Sequence, residues 1–361
     1  MKVIKVKGVR KAKDVYCSMP RQPSYCQEYW YLLSYENNRM FRFLRDIIKK
    51  IIGRPNVAYL RNGTIVHCLR DLTSYVVYDD DNHPLLIAPL YTCDENDRLV
   101  AGSVSWVNSA DFVYANATDI DLEYAFRTLF LFLRDEGCHN LHWNFLHENS
   151  RSAVYLREFR HFVYGTSKNT RISLDFPDYD GYVKSLKKSA AQNRRTAYNR
   201  LSRANHCLEF SFLAEPKEIP HILEELYITR QKNKYNRKSA YSWFLWKHCN
   251  GGLKPYSSNN GFLAQLYIDG KIAAFMAGYQ HPELKMVNVP ILAIDDAFRF
   301  YSPGVLLVSE MAKYMITKLG LTCLYLGRGD EKYKMDMGGV CFDSLHLVVN
   351  FDEGEKNAKF G

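Results

Sequence analysis

The clearest alternation of apolar and polar positions runs from Leu122 to Glu136, where Leu122, Ala125, Phe126, Leu129, Phe130 and Leu133 recur at three- and four-residue intervals. This spacing predicts an amphipathic helix, with Asp119 and Asp121 as caps and Gly137 as terminator. Extended stretches precede it at 73–78, 84–91, 99–107 and 111–117, with a polar turn at 79–83, and 141–145 follows as a strand. The second half repeats the order. Stretches 261–268 and 271–279 flank Asp269-Gly270, a strong hairpin signal, then come a strand at 285–293, a helix from Pro303 to Leu319 ended by Gly320, and a strand at 322–327. The two helix-ending glycines lie 183 residues apart, about half the chain.

The pattern therefore predicts an α/β fold of two similar modules with mixed sheets, 1–174 and 175–361. A helical insertion lies between them at 182–205, 217–236 and 240–249. Asp178 and Asp180 are placed to cap its first helix, and Gly251-Gly252 to end its last. No apolar run approaches the roughly 20 residues of a membrane-spanning helix. The alternating start Met1-Lys2-Val3-Ile4-Lys5 lacks the continuous apolar core of a secretory signal, so a cytoplasmic protein with no transmembrane segment is expected. Nine cysteines, none in CxxC spacing, read as reduced and mostly buried thiols, and no metal site is expected.

Charge adds one feature. The net charge is +9, and residues 181–268 alone hold 15 Lys/Arg against 5 Asp/Glu. Between Asp180 and Glu209 there is no acid, while Lys184, Lys187, Lys188, Arg194, Arg195, Arg200 and Arg203 are present. On one helix, Lys184, Lys187, Lys188, Arg194 and Arg195 would approach one broad face, with Val183, Leu186, Ala190, Ala197 and Leu201 turned inward. Uncompensated like charges favour an anionic partner, although a solvated basic face fits as well.

Two segments carry candidate chemistry. In Phe298-Arg299-Phe300-Tyr301-Ser302-Pro303-Gly304-Val305-Leu306, Ser302 suits the N-cap and Pro303 the first helical position. The amides of Gly304, Val305 and Leu306 would then face an anion, with Arg299 as a charged contact. A capped amphipathic helix without ligand explains the same residues. In Leu326-Gly327-Arg328-Gly329-Asp330-Glu331-Lys332-Tyr333-Lys334, a buried-type strand runs into glycines and ionisable groups, the usual place for active-site residues in open α/β sheets, or else a solvated loop.

The pairing of the Ser302-Pro303-Gly304 helix start with the Gly329-Asp330-Glu331-x-Tyr333-Lys334 loop resembles the GNAT-like acyltransferases. It is more narrowly similar to cellulose and exopolysaccharide biosynthesis acetyltransferases and the related Fem-type aminoacyltransferases. The similarity is best over residues 175–340, and Ala88-Pro89-Leu90-Tyr91 resembles the first module of tandem members. The usual pyrophosphate loop, Arg/Gln-x-x-Gly-x-Gly/Ala, is echoed only by Arg299 and Gly304 at altered spacing. The resemblance implies an N-acyltransferase with acyl-CoA (acetyl-CoA) as co-substrate, acting on a sugar or cell-envelope precursor amine. Under it, Ser302 to Leu306 and Arg299 would hold the donor. Asp330 and Glu331 are base candidates and Tyr333 the acid. Lys187, Lys188, Arg194, Arg195 and Lys334 would contact a small or carrier-linked anionic acceptor. A transferase using aminoacyl-tRNA is the second implied reading. A non-catalytic nucleic-acid-binding protein is the third reading, from the basic segment alone.

Overall fold

The computed structural model describes residues 1–20, 22, 27–30, 32–33, 60–61, 64–65, 72–95, 98–103, 111–148, 150–158, 161–235 and 252–351. The chain divides into two compact units, 1–167 with 342–361, and 168–341. Relative to a division at 174/175, residues 168–174 join the second unit and the C-terminal segment joins the first.

In the first unit, β1 (Lys2–Lys7), β4 (Thr73–Tyr78), β5 (Pro84–Glu95) and β6 (Arg98–Ser103) form an antiparallel run, with β7 (Val113–Tyr114) also beside β5; β2 (Leu60–Arg61) and β3 (Thr64–Ile65) pair separately. Helix α2 (Asp119–Asp135), which follows α1 (Lys13–Ser18), carries the chain from β6 to the parallel strand β8 (Cys138–His147). Its predicted apolar stripe is buried, and Thr118 rather than Asp119 or Asp121 caps it, accepting from the Asp121 amide. Short α3 (Arg151–Glu158) follows β8, and β15 (Gly339–Asn350) pairs antiparallel with β8. Of the 111–117 stretch only Val113–Tyr114 is strand. Side-chain amides hold this segment instead: Gln22 bonds the Tyr114 backbone in both directions and Gln27 donates to the Phe112 carbonyl.

The second unit has the same plan. Strands β10 (Leu208–Ala214), β11 (Gly261–Ile268), β12 (Lys271–His281) and β13 (Met286–Ile294) are antiparallel. A helical crossover leads to β14 (Cys323–Arg328), parallel to β13, and β9 (His161–Ser173) pairs antiparallel with β14. The closing strands are exchanged in sequence. β15, last of the described strands, completes the first unit's sheet, and β9, which starts in the first unit's residues, completes the second.

The expected helix over 182–205 is two helices, α4 (Tyr179–Ser185) and α5 (Lys188–Arg203), separated by extended backbone at Leu186 and Lys187. The break follows from Ser185, whose hydroxyl donates to the Tyr182 carbonyl and competes for an acceptor that helix continuation needs. After α6 (His221–Tyr235), the crossover helix α7 runs from Pro303 to Tyr314 and continues as one π-turn to Leu319, ending on Gly320. Leu306, Leu307, Val308, Met311, Ala312 and Met315 bury against β11, β12 and β13 residues such as Ala264, Met276 and Val287. The short α8 (Lys332–Asp336) lies between β14 and β15. The 240–249 expectation lies outside the described residues.

Among the described residues no helix is long and apolar enough to cross a membrane. Of the described free cysteines only Cys138 is buried; Cys17 and Cys207 are exposed, against the expectation of mostly buried thiols.

Candidate active site

Parallel pairing places the ends of β13 and β14 at one edge of the sheet, so the start of α7 and the loop after β14 leave from the same side. The two strands pair only at Met286↔Cys323, Val287↔Leu324 and Asn288↔Tyr325, although β13 runs on to Ile294 and β14 to Arg328. Pro290, two residues past the last pair, has no N–H to offer a neighbour. At the parting point Asn288 is buried, and among the described residues its Oδ1 accepts no hydrogen bond. On the same strand pair Tyr325 donates to Asn169 Oδ1 at 2.9 Å, below the surface. Gly278 sits in the β12 register shift beside the Tyr279–Asn288 pair, where an added Cβ would stand 1.8 Å from the Asn288 carbonyl oxygen.

At the α7 start Ser302 adopts φ 55°, ψ 53° and makes no side-chain cap. It closes the 3-10 turn Asp296–Tyr301, and Pro303 excludes the right-handed region for the residue before it. Its carbonyl does the capping instead, accepting from Val305 at 3.0 Å and Leu306 at 3.2 Å. Two of the three amides expected to meet an anion are therefore already bonded, leaving that of Gly304, and Leu306 is fully buried. The Gly304 backbone lies open, since an added Cβ would meet only Ile294 Cγ2 at 3.5 Å. Arg299 is exposed.

Beside this turn stands a chain of partners that no local sequence pattern announces. Asp269 at the β11–β12 hairpin tip accepts from the Cys207 amide at 2.8 Å and pairs with His206 Nδ1 at 2.6 Å, while His206 Nε2 meets the Tyr301 hydroxyl at 2.8 Å. The backbone amide of Cys207 first, then His206, hold the Asp269 carboxyl below its usual range. The hairpin was legible from Asp269-Gly270, but not its partner 63 residues earlier.

In the loop after β14, Gly327 and Gly329 take φ +68° and +97°, turning the chain as only glycine does readily. Thr170 and Lys168 stitch the loop to β9: Thr170 Oγ1 donates to the Gly329 carbonyl at 2.6 Å, and the Gly329 amide donates to the Lys168 carbonyl at 2.8 Å. Lys334, expected to contact substrate, is only 3% exposed. Its ammonium donates to the Arg328 carbonyl at 2.6 Å and pairs with Glu331 at 2.9 Å, so it is tied inside the loop. Asp330 is the open carboxylate, its side chain 55% exposed and 3.4 Å from Lys168. Tyr333 is half-buried against the core.

The basic segment is divided. Lys187, Lys188 and Arg195 are exposed, but Arg194 turns inward between Tyr179 and Tyr198, its guanidinium carbon 5.2 and 5.0 Å from their ring centroids. Its Nε donates to Tyr179 Oη at 3.0 Å and to the fully buried Ser309 Oγ at 2.9 Å, and Tyr198 donates to Glu310. Burial, reinforced by the Glu310 bond, pushes the Tyr198 phenol up and keeps it a donor. Arg194 thus joins α5 to α7, and the acid missing within the segment is supplied to Tyr198 from α7. Among the described residues no group of His, Cys, Asp or Glu is placed to hold a metal.

Comparison with known proteins bears on the fold. No curated protein matches the chain in sequence. Among solved structures it is similar to FemX, with 10% identity, TM-score 0.58 and 96% of each chain covered. It is also similar to a conserved protein of unknown function from Bacteroides thetaiotaomicron VPI-5482, with 14% identity, TM-score 0.51, and 77% of this chain and 86% of that one covered. These likenesses show a fold shared over both units. Residues 188–335, from the start of α5 to α8, match the family model described as an Acetyltransferase (GNAT) domain. The matched segment lies wholly within the second unit of this tandem α/β fold.

Proposed function

We propose that the protein is an acyl-CoA-dependent N-acyltransferase whose donor lies between the parted ends of β13 and β14, with its pyrophosphate at the start of α7. The observation that carries this reading is the parting itself. Beyond Asn288 and Tyr325 the two strands no longer pair with each other, and at that point lies a buried, unpartnered Asn288 acceptor, within the segment that matches an acetyltransferase domain model. An amide-bearing donor arm is the chemistry that would satisfy Asn288 Oδ1, and the Gly304 amide with Arg299 suits a phosphate. Bound there, the donor supplies a thioester carbonyl for attack by the acceptor amine.

Asp330 then takes the amine proton, directly or through water, being the carboxylate left open to solvent. Glu331 is held by Lys334 and supports the loop rather than sharing that task. Tyr333 is the proton source for the departing thiolate. Lys187, Lys188 and Arg195 face an anionic acceptor, and a sugar or polysaccharide-precursor amine on a phosphorylated carrier fits their charge. A transferase using aminoacyl-tRNA is the second reading, favoured by the fold shared with FemX over 96% of both chains.

Thermal shift with an acyl-CoA series tests the donor, because ligand at about a hundred times its Kd stabilises by about 2.7 kcal/mol. A rise in Tm with acyl-CoA, undiminished by charged tRNA, supports the reading. No rise at millimolar acyl-CoA, together with one on charged tRNA, favours the second.

A further inference from the structure

Phe300 is 64% exposed, although its neighbours Phe298 and Tyr301 both pack against the core of the second unit. It stands in the turn just before α7. Arg200, from α5, is fixed to it twice. The guanidinium carbon lies 4.7 Å from the ring centroid, and Nη1 donates to the Phe300 carbonyl at 2.7 Å. Tyr301 meets the ring edge-on, centroids 5.2 Å apart at 81°, and is itself held by His206 and Asp269. A ring covered on one face by Arg200, bounded by Tyr301 and still mostly exposed presents its other face to solvent. A rigid, open aromatic face is a poor use of a core-forming residue, but it is what a planar partner needs.

The surroundings specify that partner further. Arg299 and Arg203 are exposed close by in the sequence of the same two elements. The nearby acids are already engaged. Asp295 accepts from the Ala297 amide at 2.9 Å, and Asp296 pairs with Arg230 at 3.3 Å. The Gly304 amide follows four residues after the ring. An aromatic face, unopposed guanidinium groups and a helix start occur together, and these match a base, its sugar phosphate and a pyrophosphate.

We propose that Phe300, backed by Arg200, is a stacking platform for the adenine of the donor. This rests on the acyltransferase reading and assigns the nucleotide end of that site. Two donors share this chemistry, a phosphorylated adenosine next to the reactive arm: coenzyme A and the 3′ end of an aminoacyl-tRNA. Cation–π contact with Arg200 holds the ring in place, and stacking on its free face sets affinity. Removing such a platform lowers affinity by about 5- to 150-fold.

The test is calorimetric titration of the full chain and its Phe300→Ala and Phe300→Trp variants with acetyl-CoA, adenosine 3′,5′-bisphosphate, 4′-phosphopantetheine and the trinucleotide CCA. Phe300→Ala is expected to weaken acetyl-CoA and the bisphosphate by that factor and to leave phosphopantetheine unchanged. Phe300→Trp is expected to keep or raise affinity. The same loss confined to CCA upholds the platform and assigns it to tRNA. Parent-like affinity of Phe300→Ala for every adenine ligand overturns the proposal, as does a parent that binds neither the bisphosphate nor CCA. If acetyl-CoA binds and Phe300→Ala is indifferent, the platform fails and the acyltransferase reading stands. If the bisphosphate binds through Phe300 but the acylated arm adds no affinity, the platform stands and the reading fails.

Discussion

Replacing Lys334 by methionine keeps the apolar stem and removes only the ammonium, so the variant isolates what that charge does. In the folded protein the ammonium is bonded to the Arg328 carbonyl at 2.6 Å and to Glu331 at 2.9 Å, from a side chain only 4% exposed. Removing one partner of a fully buried pair costs about 3–5 kcal/mol. Glu331, however, is 32% exposed and regains part of its hydration, which brings the expected loss to about 2–3 kcal/mol. Urea denaturation followed by circular dichroism reads this as a lower midpoint. A cycle with Glu331→Gln should return a coupling of about 1 kcal/mol or more. If Lys334→Met is as stable as the parent within about 0.5 kcal/mol and instead raises the acceptor KM, the loop-staple account is wrong and Lys334 is a substrate contact after all.

Three further outcomes follow from the geometry. Gly278→Ala should destabilise by about 1–3 kcal/mol or more, because its Cβ would meet a backbone oxygen at 1.8 Å, and a thermal melt showing parent-like Tm contradicts the close approach. Burial raises the Asp111 carboxyl to about 6, and its partners include Tyr114 and Ser152. A raised carboxyl stabilises the fold in its protonated form, so this contribution is full below about pH 4 and is lost as pH rises through about 6, at most about 3 kcal/mol; Asp111→Asn should flatten the stability profile in that window, and an unchanged profile contradicts the assignment. Finally, the triple change Lys187→Glu, Lys188→Glu, Arg195→Glu should raise the acceptor KM steeply at low salt while leaving acyl-CoA affinity nearly unchanged, whereas Arg194 is left out because its loss would unseat Tyr179 and Ser309.

The α2 and α7 helices were legible because each buries an apolar stripe, and the β11–β12 hairpin because two apolar runs flank Asp269-Gly270; all three stand where the pattern puts them. The order of hairpin, strand, helix and strand in both halves was legible from the same patterns, whereas the parallel pairing of the last strand in each came only with the structure. What escaped depends on contacts remote in sequence. The exchange of β9 and β15 between units leaves no local trace, because a strand's pattern states which face is buried and not which sheet receives it. Lys334 reads as one more charge in a polar loop until the Arg328 carbonyl is seen folded onto it. Arg194 looks like its neighbours Arg195 and Lys188 until Ser309, 115 residues away, supplies its partner. The α7 start was located correctly, but Ser302 caps through its carbonyl because Pro303 excludes the right-handed region for it and it stands in a left-handed backbone.

The central claim, a donor held at the start of α7 beside the parted strands, is tested most directly by titrating acetyl-CoA into the parent and Gly304→Glu. The position tolerates a side chain, with only Ile294 Cγ2 at 3.5 Å, and an acid in the first turn of a helix is mildly favourable to the fold. The account predicts saturable binding by the parent and a loss of at least about tenfold in a Gly304→Glu protein whose melting temperature is unchanged, since a carboxylate there opposes the pyrophosphate. Equal acetyl-CoA affinity in the two folded proteins, or no binding by the parent, would contradict it.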